Sequence, residues 1–374
     1  MAFPGSGVSP RSLQDPPRLQ GTMKEADMQV VLSLRDSSLI WQMASKAEAR
    51  QNAKKEKVSI KEGFTLPQDI PLASTLLATE TRLPADFVTS CSTLELAAFY
   101  KRMQLGEKLS INVLQPGERR RRSSIACSVL PKGMRNGRFM QIEEGVYIYP
   151  PEACLYNACQ TLPFEQALLL SYEMCGTFTL DPAIEKGLGT RAPLMKLSHL
   201  CCLANSMQEA RGVVRFKAVL PWVLEGSASP RESMPAICFV LPKRMGGYGL
   251  YRMHMNAEVA LSPQAQKIYG RKTCRCDLYV PELKLAFEYD SDAEHSDKKA
   301  RRKDSRRQTA LALEGVETIS LTSVQLASTA QMDGIAELLA ARLGESLDCR
   351  VKDYMRKKCD LQEKLLGRKD WLIK

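Results

Sequence analysis

Apolar and polar residues alternate with a period of two along two neighbouring stretches, Cys276 to Val280 and Leu283 to Tyr289, both rich in the β-branched and aromatic types that suit strands. Pro281-Glu282 between them reads as a tight two-residue turn, and the whole as a β-hairpin. In that register Val280 pairs with Leu283 and Asp277 lies opposite Ala286. Alternation then places Asp277, Ala286, Glu288 and Asp290 on one face, and Leu283, Leu285, Phe287 and Tyr289 on the other, toward a core. Asp277 and Glu288 become diagonal cross-strand neighbours, roughly 7–8 Å apart at the backbone. Upstream, RMHMNAEVALS follows the turn GGYGL at 246–250 and reads as a strand that pairs with the hairpin.

Earlier in the chain the pattern is mixed. Residues 1–35 begin with a Pro-, Gly- and Ser-rich stretch with too little apolar content to fold alone, and are expected to be disordered. Residues 36–85 read as a helical arm and linker: Leu39, Trp41 and Met43 give way to the charged AEARQNAKKEK, then Pro67, Pro71 and Pro84 punctuate a loop-rich passage. Residues 86–225 read as a smaller mixed α/β domain. CSTLELAAFYKRMQ is a helix with Ser92 and Glu95 at capping-box spacing. INVLQPG, SIACSVLP and FMQIEEGVYIYPPEA supply short strands, and LYNACQTL and EQALLLSYEMCG are apolar at helical spacing, with Gly176 as a stop. The expected class is α/β of the α+β kind, with a second, C-terminal mixed sheet flanked by helices over 226–345 and a basic terminal helix over 346–374.

Composition narrows the classes. At 374 residues the chain has room for two to three domains, and a formal net charge of +11 with an isoelectric point near 9.1 favours a polyanionic partner. Its 12 cysteines are scattered without a CxxC pair and histidines number only 3, which argues against a zinc site. No secretory signal and no apolar run of transmembrane length is evident, so a cytoplasmic protein with reduced cysteines and no membrane association is expected.

The acids on the hairpin are the candidate chemistry. Three carboxylates on one sheet face repel one another, and a divalent cation is the simplest compensation. Mg²⁺, or Mn²⁺ in its place, favours oxygen ligands and is usually held by one or two carboxylates together with waters and substrate phosphate oxygens. The plain alternative is that Asp290 and the acids after it are solvated loop residues and Asp277 caps a strand end. Directly after the acids, DKKARRKDSRRQTALALEG crowds Lys298, Lys299, Arg301, Arg302, Lys303, Arg306 and Arg307 on one helix. There they can offset the repulsion between an acidic site and DNA. A merely solvated face fits the same run. Arg119 to Arg122 form a further basic run, either a phosphate contact or a solvated loop.

The stretch resembles the metal-binding core of restriction-endonuclease-like nucleases, the PD-(D/E)xK superfamily, and most closely its branch related to very-short-patch-repair endonucleases. The resemblance is carried by Asp277, Glu288-Tyr289-Asp290, His295, then Asp304, Arg307 and Leu311 on the basic helix and the strand ETISLT at 317–322. It implies a metal held by Asp277, Glu288 and Asp290, with Asp290 where the superfamily commonly has lysine, and His295 as a general acid or a structural residue. Ser229-Pro230-Arg231-Glu232 fits a capping box with proline at the first helical position. By the resemblance, Glu232 is also the helix-borne acid that approaches the metal from outside the hairpin. Pro235 removes an early amide and predicts a later helix start. GVYIYPPEACLYNACQTL is similar to the middle of AbiEi-type abortive-infection antitoxins. Two functions follow as expectations: a Mg²⁺-dependent DNA endonuclease, or a DNA-binding regulator or antitoxin whose nuclease-like domain does not cut. In either case a partner protein or a homodimer is possible.

Overall fold

The computed structural model describes residues 28–366, apart from 86, 120–123, 135–136, 208–209, 291–297 and 349. The chain is of the mixed α and β class, with sheets flanked by helices. Its first half is built on β1 (Val30–Leu32), β2 (Glu80–Thr81), β3 (Leu109–Val113), β4 (Ile125–Val129), β5 (Phe139–Glu143) and β6 (Val146–Ile148), joined in the order β2-β5-β6-β1-β3-β4. Around this sheet lie α1 (Leu34–Lys55), α2 (Ala73–Leu77), α3 (Thr93–Arg102), α4 (Pro151–Thr161) and α5 (Phe164–Cys175). The ribbon β7 (Phe178–Leu180) and β8 (Leu188–Thr190) lies against α1, and α6 (Leu197–Ser206) and α7 (Val213–Val219) complete the half. Ser92 caps α3 with Glu95 closing the box, and Gly176 caps α5, both at the predicted positions.

Two expectations fail here for the same reason. A disordered segment through residue 35 is contradicted by β1, whose three apolar residues are fully buried between β6 and β3. Residues 1–27 lie outside the described residues. A Cβ on Gly145, at φ +72°, would stand 1.7 Å from the Met28 carbonyl oxygen, so glycine is required for this strand to seat. The helix that follows is no solvated arm either. Ile40, Trp41, Ala44 and Ala49 are buried, and Trp41 Nε1 donates to the Tyr149 carbonyl at 2.9 Å. Both segments are held by the sheet rather than by their own apolar content.

The second half comprises α8 (Pro230–Val240), β9 (His254–Ala260), α9 (Pro263–Tyr269), β10 (Thr273–Val280), β11 (Leu285–Asp290), α10 (Lys298–Leu313), β12 (Glu317–Thr322), α11 (Ser323–Ala327), α12 (Thr329–Leu343) and α13 (Tyr354–Leu366). Its sheet runs β12-β11-β10-β9, antiparallel except for the β11–β12 pair. Helix α8 starts at Pro230, directly after its Ser229 cap, and Pro235 sits inside it instead of delaying it. The cost is one missing amide. Phe239 of α8 packs on Phe287 of β11 with ring centroids 5.5 Å apart, while α9 and α10 cover the opposite face with Ala265, Ala310 and Leu311. The main core runs from Val30 to Leu365, so packing continues across the boundary expected near residue 225. Lys358 locks α13 in place: its ammonium pairs with Asp333 at 2.5 Å and lies 5.3 and 4.8 Å from the ring centres of Tyr248 and Tyr354. Among the described residues no helix is long and apolar enough to cross a membrane.

Candidate functional site

The hairpin turn is longer than the two residues expected. Pro281–Leu283 form a single tight helical turn and Lys284 adopts φ +47°, so Val280 pairs with Leu285, Tyr279 with Ala286 and Leu278 with Phe287. The pairing has slipped by two residues from the predicted register. An even slip preserves the face of every side chain, so Ala286 and Glu288 stay on the assigned side. Asp277 and Glu288 are then the next residues on each strand beyond the last ladder pair, Leu278–Phe287.

A second departure shapes the site. Alternation alone would send Cys276 and Leu278 to the same face, yet Cys274 and Cys276 pack with α9 and α10, and Leu278 and Val280 pack into the main core. The neighbouring strand does the same: Met255 joins the main core and Val259 the smaller one. Both strands therefore turn over between these residues, at Asn256 and Asp277, which the β9–β10 register places opposite each other. Asn256 takes φ +48°, a left-handed conformation that asparagine tolerates better than most residues. The β10–β11 ladder stops at the same level, beyond Leu278 and Phe287. Irregularities of this kind re-aim side chains and end pairing.

Side chains take over the backbone groups at this break. Asp277 Oδ2 accepts from the Tyr289 amide at 2.9 Å, and Arg307 Nη2, reaching down from α10, donates to the Arg275 carbonyl at 2.6 Å. The same Arg307 nitrogen pairs with Glu288 Oε2 at 2.5 Å, with Glu288 14% and Arg307 19% exposed. Glu288 Oε1 is buried and has no hydrogen-bond partner. Burial and the adjacent Asp277 charge push the Glu288 carboxyl up to about 7, against the pull of Arg307. Burial likewise raises the Asp277 carboxyl, offset in part by the Tyr289 amide and Arg307.

Glu232 stands beside this pair. It completes its helix cap, with its amide donating to Ser229 Oγ at 3.2 Å, and its carboxylate accepts from Ser229 Oγ and the Ala228 amide, each at 3.0 Å. Asn256 Nδ2 donates to Glu232 Oε2 at 2.7 Å, so the residue that kinks β9 also holds the helix-borne acid against the sheet. Burial first, then the Asp277 charge, raise the Glu232 carboxyl. Both sequence readings of Glu232 thus meet in one side chain: it caps α8 and lies within the field of the hairpin acids.

The structure brings together Asp277, Glu288 and Glu232, with Arg307 and Asn256 between them. Asp290 is exposed at the end of β11, on the Glu288 face. His295 lies outside the described residues. Among the described residues no three His, Cys, Asp or Glu side chains form a ready-made metal cage. The acid centre is therefore a pair with a third carboxylate alongside.

No protein-family model, curated protein or solved structure matches this chain. The site is read on its own geometry.

Of the basic residues assigned to nucleic acid, Arg302 and Arg306 are exposed on α10. The side chains of Lys298, Lys299, Arg301 and Lys303 lie outside the described residues. Arg307 differs from Arg302 and Arg306: it pairs with Glu288 and the Arg275 carbonyl, whereas those two are exposed. Arg120, Arg121 and Arg122 also lie outside the described residues. Asn256 was not anticipated, since an asparagine within a strand-like run carries no functional signature; only the HMNAE interruption of strict alternation marked the spot.

Proposed function

We propose that the chain is a metal-dependent DNA endonuclease of the restriction-endonuclease-like kind. The observation that carries the reading is the Asp277–Glu288 pair: two neighbouring carboxylates, raised in pKa, one of them with a buried oxygen that has no hydrogen-bond partner among the described residues. An all-oxygen donor set of this size fits Mg²⁺ or Mn²⁺, which needs only one or two carboxylates and takes its remaining ligands from water and substrate phosphate. Asp277 and Glu288 would hold the ion. When bound, the ion supplies positive charge for the developing phosphoryl transition state and acidifies water for attack.

The chain's own residues prepare that site. Asp277 is fixed by the Tyr289 amide, so its second oxygen keeps a set direction. Arg307 neutralises Glu288 when no ion is present and is placed to offer its guanidinium to a phosphate oxygen when one is. It thereby supplies the positive charge that Asp290, standing where lysine is common, does not. Glu232, anchored by Asn256 and its cap, is placed to orient a water against the scissile phosphate. Arg302 and Arg306 give the approaching backbone a cationic face. The test is cleavage of duplex and single-stranded DNA with and without Mg²⁺ or Mn²⁺: activity in the native chain that disappears in Asp277→Ala supports the reading, and activity untouched by that substitution refutes it.

The second reading is a DNA-binding regulator or antitoxin whose nuclease-like half does not cut, and one observation favours it. Arg307 already balances Glu288, and the described residues form no three-ligand cage, as in a site that has exchanged its ion for an internal cation. DNA binding in EDTA with no cleavage at any divalent-ion concentration selects this reading.

A further inference from the structure

A cavity of about 410 Å³ lies in the first half of the molecule, between α1, α4, α5 and the β7–β8 ribbon, and shares no residue with the acid pair. Its volume falls in the range of small-molecule sites, which are mostly apolar with a few placed polar groups. Trp41, Leu170 and Met174 give it apolar walls. The charged groups on those walls are unbalanced: Arg35, Lys46 and Arg191 against the single carboxylate of Glu173.

Arg191 is the unusual member. It is only 4% exposed, and the partners of its guanidinium are neutral carbonyls: Nη1 donates to Gly176 and Ala192 at 3.1 and 2.8 Å, and Nη2 to Glu173 at 2.9 Å. Its Nε is buried without any partner. A buried cation normally pairs with an anion; the charges of Glu173 and Glu48 act on Arg191 without a salt bridge to it, and Glu173 Oε1 accepts from the Thr179 hydroxyl at 2.9 Å. Lys46, half-buried on the same wall of α1, forms no ion pair with any described residue. A half-open, mostly apolar cavity whose lining carries more cations than carboxylates is complementary to a molecule with an apolar body and one anionic head. We infer that this cavity is a binding site for a small amphipathic anion, a carboxylate or a phosphate monoester, with its head toward Lys46 and Arg191 and its body along Trp41, Leu170 and Met174.

The experiment is isothermal titration of the full chain with four probes of equal length: octanoate, octyl phosphate, octanol and octylammonium. Saturable binding of one or both anions at roughly tenfold lower concentration than octanol, with octylammonium inert, is expected for a half-buried charge contact. Which anion binds identifies the head group. Lys46→Met should weaken the anions about fivefold and leave octanol unchanged. Leu170→Trp, which fills the cavity from a partly exposed wall, should abolish binding of every probe without lowering the melting temperature. Binding of octanol or octylammonium as tight as that of the anions, no binding by any of the four, or anion binding indifferent to both substitutions would overturn the assignment.

Discussion

Asp36 and Glu288 each have one buried carboxylate oxygen without a hydrogen-bond partner among the described residues, yet their surroundings are opposite in kind. Asp36, with no exposure at all, receives hydroxyls on Oδ2 from Ser33 and Tyr100 at 2.7 Å and from Ser110 at 2.5 Å. These donors come from the start of α1, from α3 and from β3, so the carboxylate ties three elements together. Its electrostatic cost is offset by neutral donors, and the Tyr100 phenol is correspondingly raised by burial and by the Asp36 charge. Glu288 instead faces another acid, Asp277, and is balanced by one arginine at the edge of a broken ladder. The first arrangement gathers its hydrogen bonds from three elements onto one oxygen. The second holds like charges together, which a cation would relieve, and on that physical difference the proposed role of Glu288 rests.

Exchanging the two sites' roles is the sharpest way to break this comparison. Asp277→Ala should lower metal-dependent DNA cleavage on the order of 10³-fold, as loss of a principal charge-stabilising contact does, while cleavage per folded molecule is unchanged in Asp36→Ala. Plasmid-nicking rates normalised to folded protein read this out. In chemical denaturation the order reverses: Asp36→Ala, which removes the oxygen on which three hydroxyls converge, should cost about 2–4 kcal/mol. Asp277→Asn, which removes a like charge from beside Glu288, should cost less than about 1 kcal/mol at neutral pH.

The pH dependence sharpens the comparison further. With the Glu288 carboxyl at about 7, an incoming ion must displace a proton below that value and none above it. Affinity for Mn²⁺ should therefore climb with pH by up to about tenfold per unit between roughly pH 5 and 7 and level off above. The same shift makes the folded state hold its proton more tightly than the unfolded chain, so this group's contribution to stability falls as pH rises from the ordinary carboxylate range through about 7. Arg307→Leu removes the counter-charge that holds the Glu288 value down and should move the break in both curves to higher pH. The smallest expected effect is on DNA affinity: Arg302→Ala with Arg306→Ala should flatten the dependence of log affinity on log salt by about 2, one phosphate contact each.

Much of this centre was legible in the residues, and for a reason that can be stated. Strand periodicity assigns faces by parity, so misjudging the turn by two residues left Ala286 and Glu288 of β11 on the side assigned to them. The reversal at Asn256 and Asp277 was not legible, because it rests on one left-handed asparagine that local sequence neither requires nor forbids. Nor was the commitment of Arg307: within a run of cations, only the direction of α10 relative to the sheet separates it from Arg302 and Arg306, which are exposed. The misreading of α1 has a similar cause. Three of its nine buried residues are alanine, and the charged residues around those alanines dominate the pattern while the alanines make the contact.

Equilibrium binding of Mn²⁺ to the native chain, to Asp277→Ala and to Glu288→Gln at pH 8, followed by calorimetry, bears most directly on the paired-acid centre. One saturable ion per native chain, lost in both variants while each still melts cooperatively, is the predicted result; no binding up to millimolar ion, or binding that both variants retain, would contradict it.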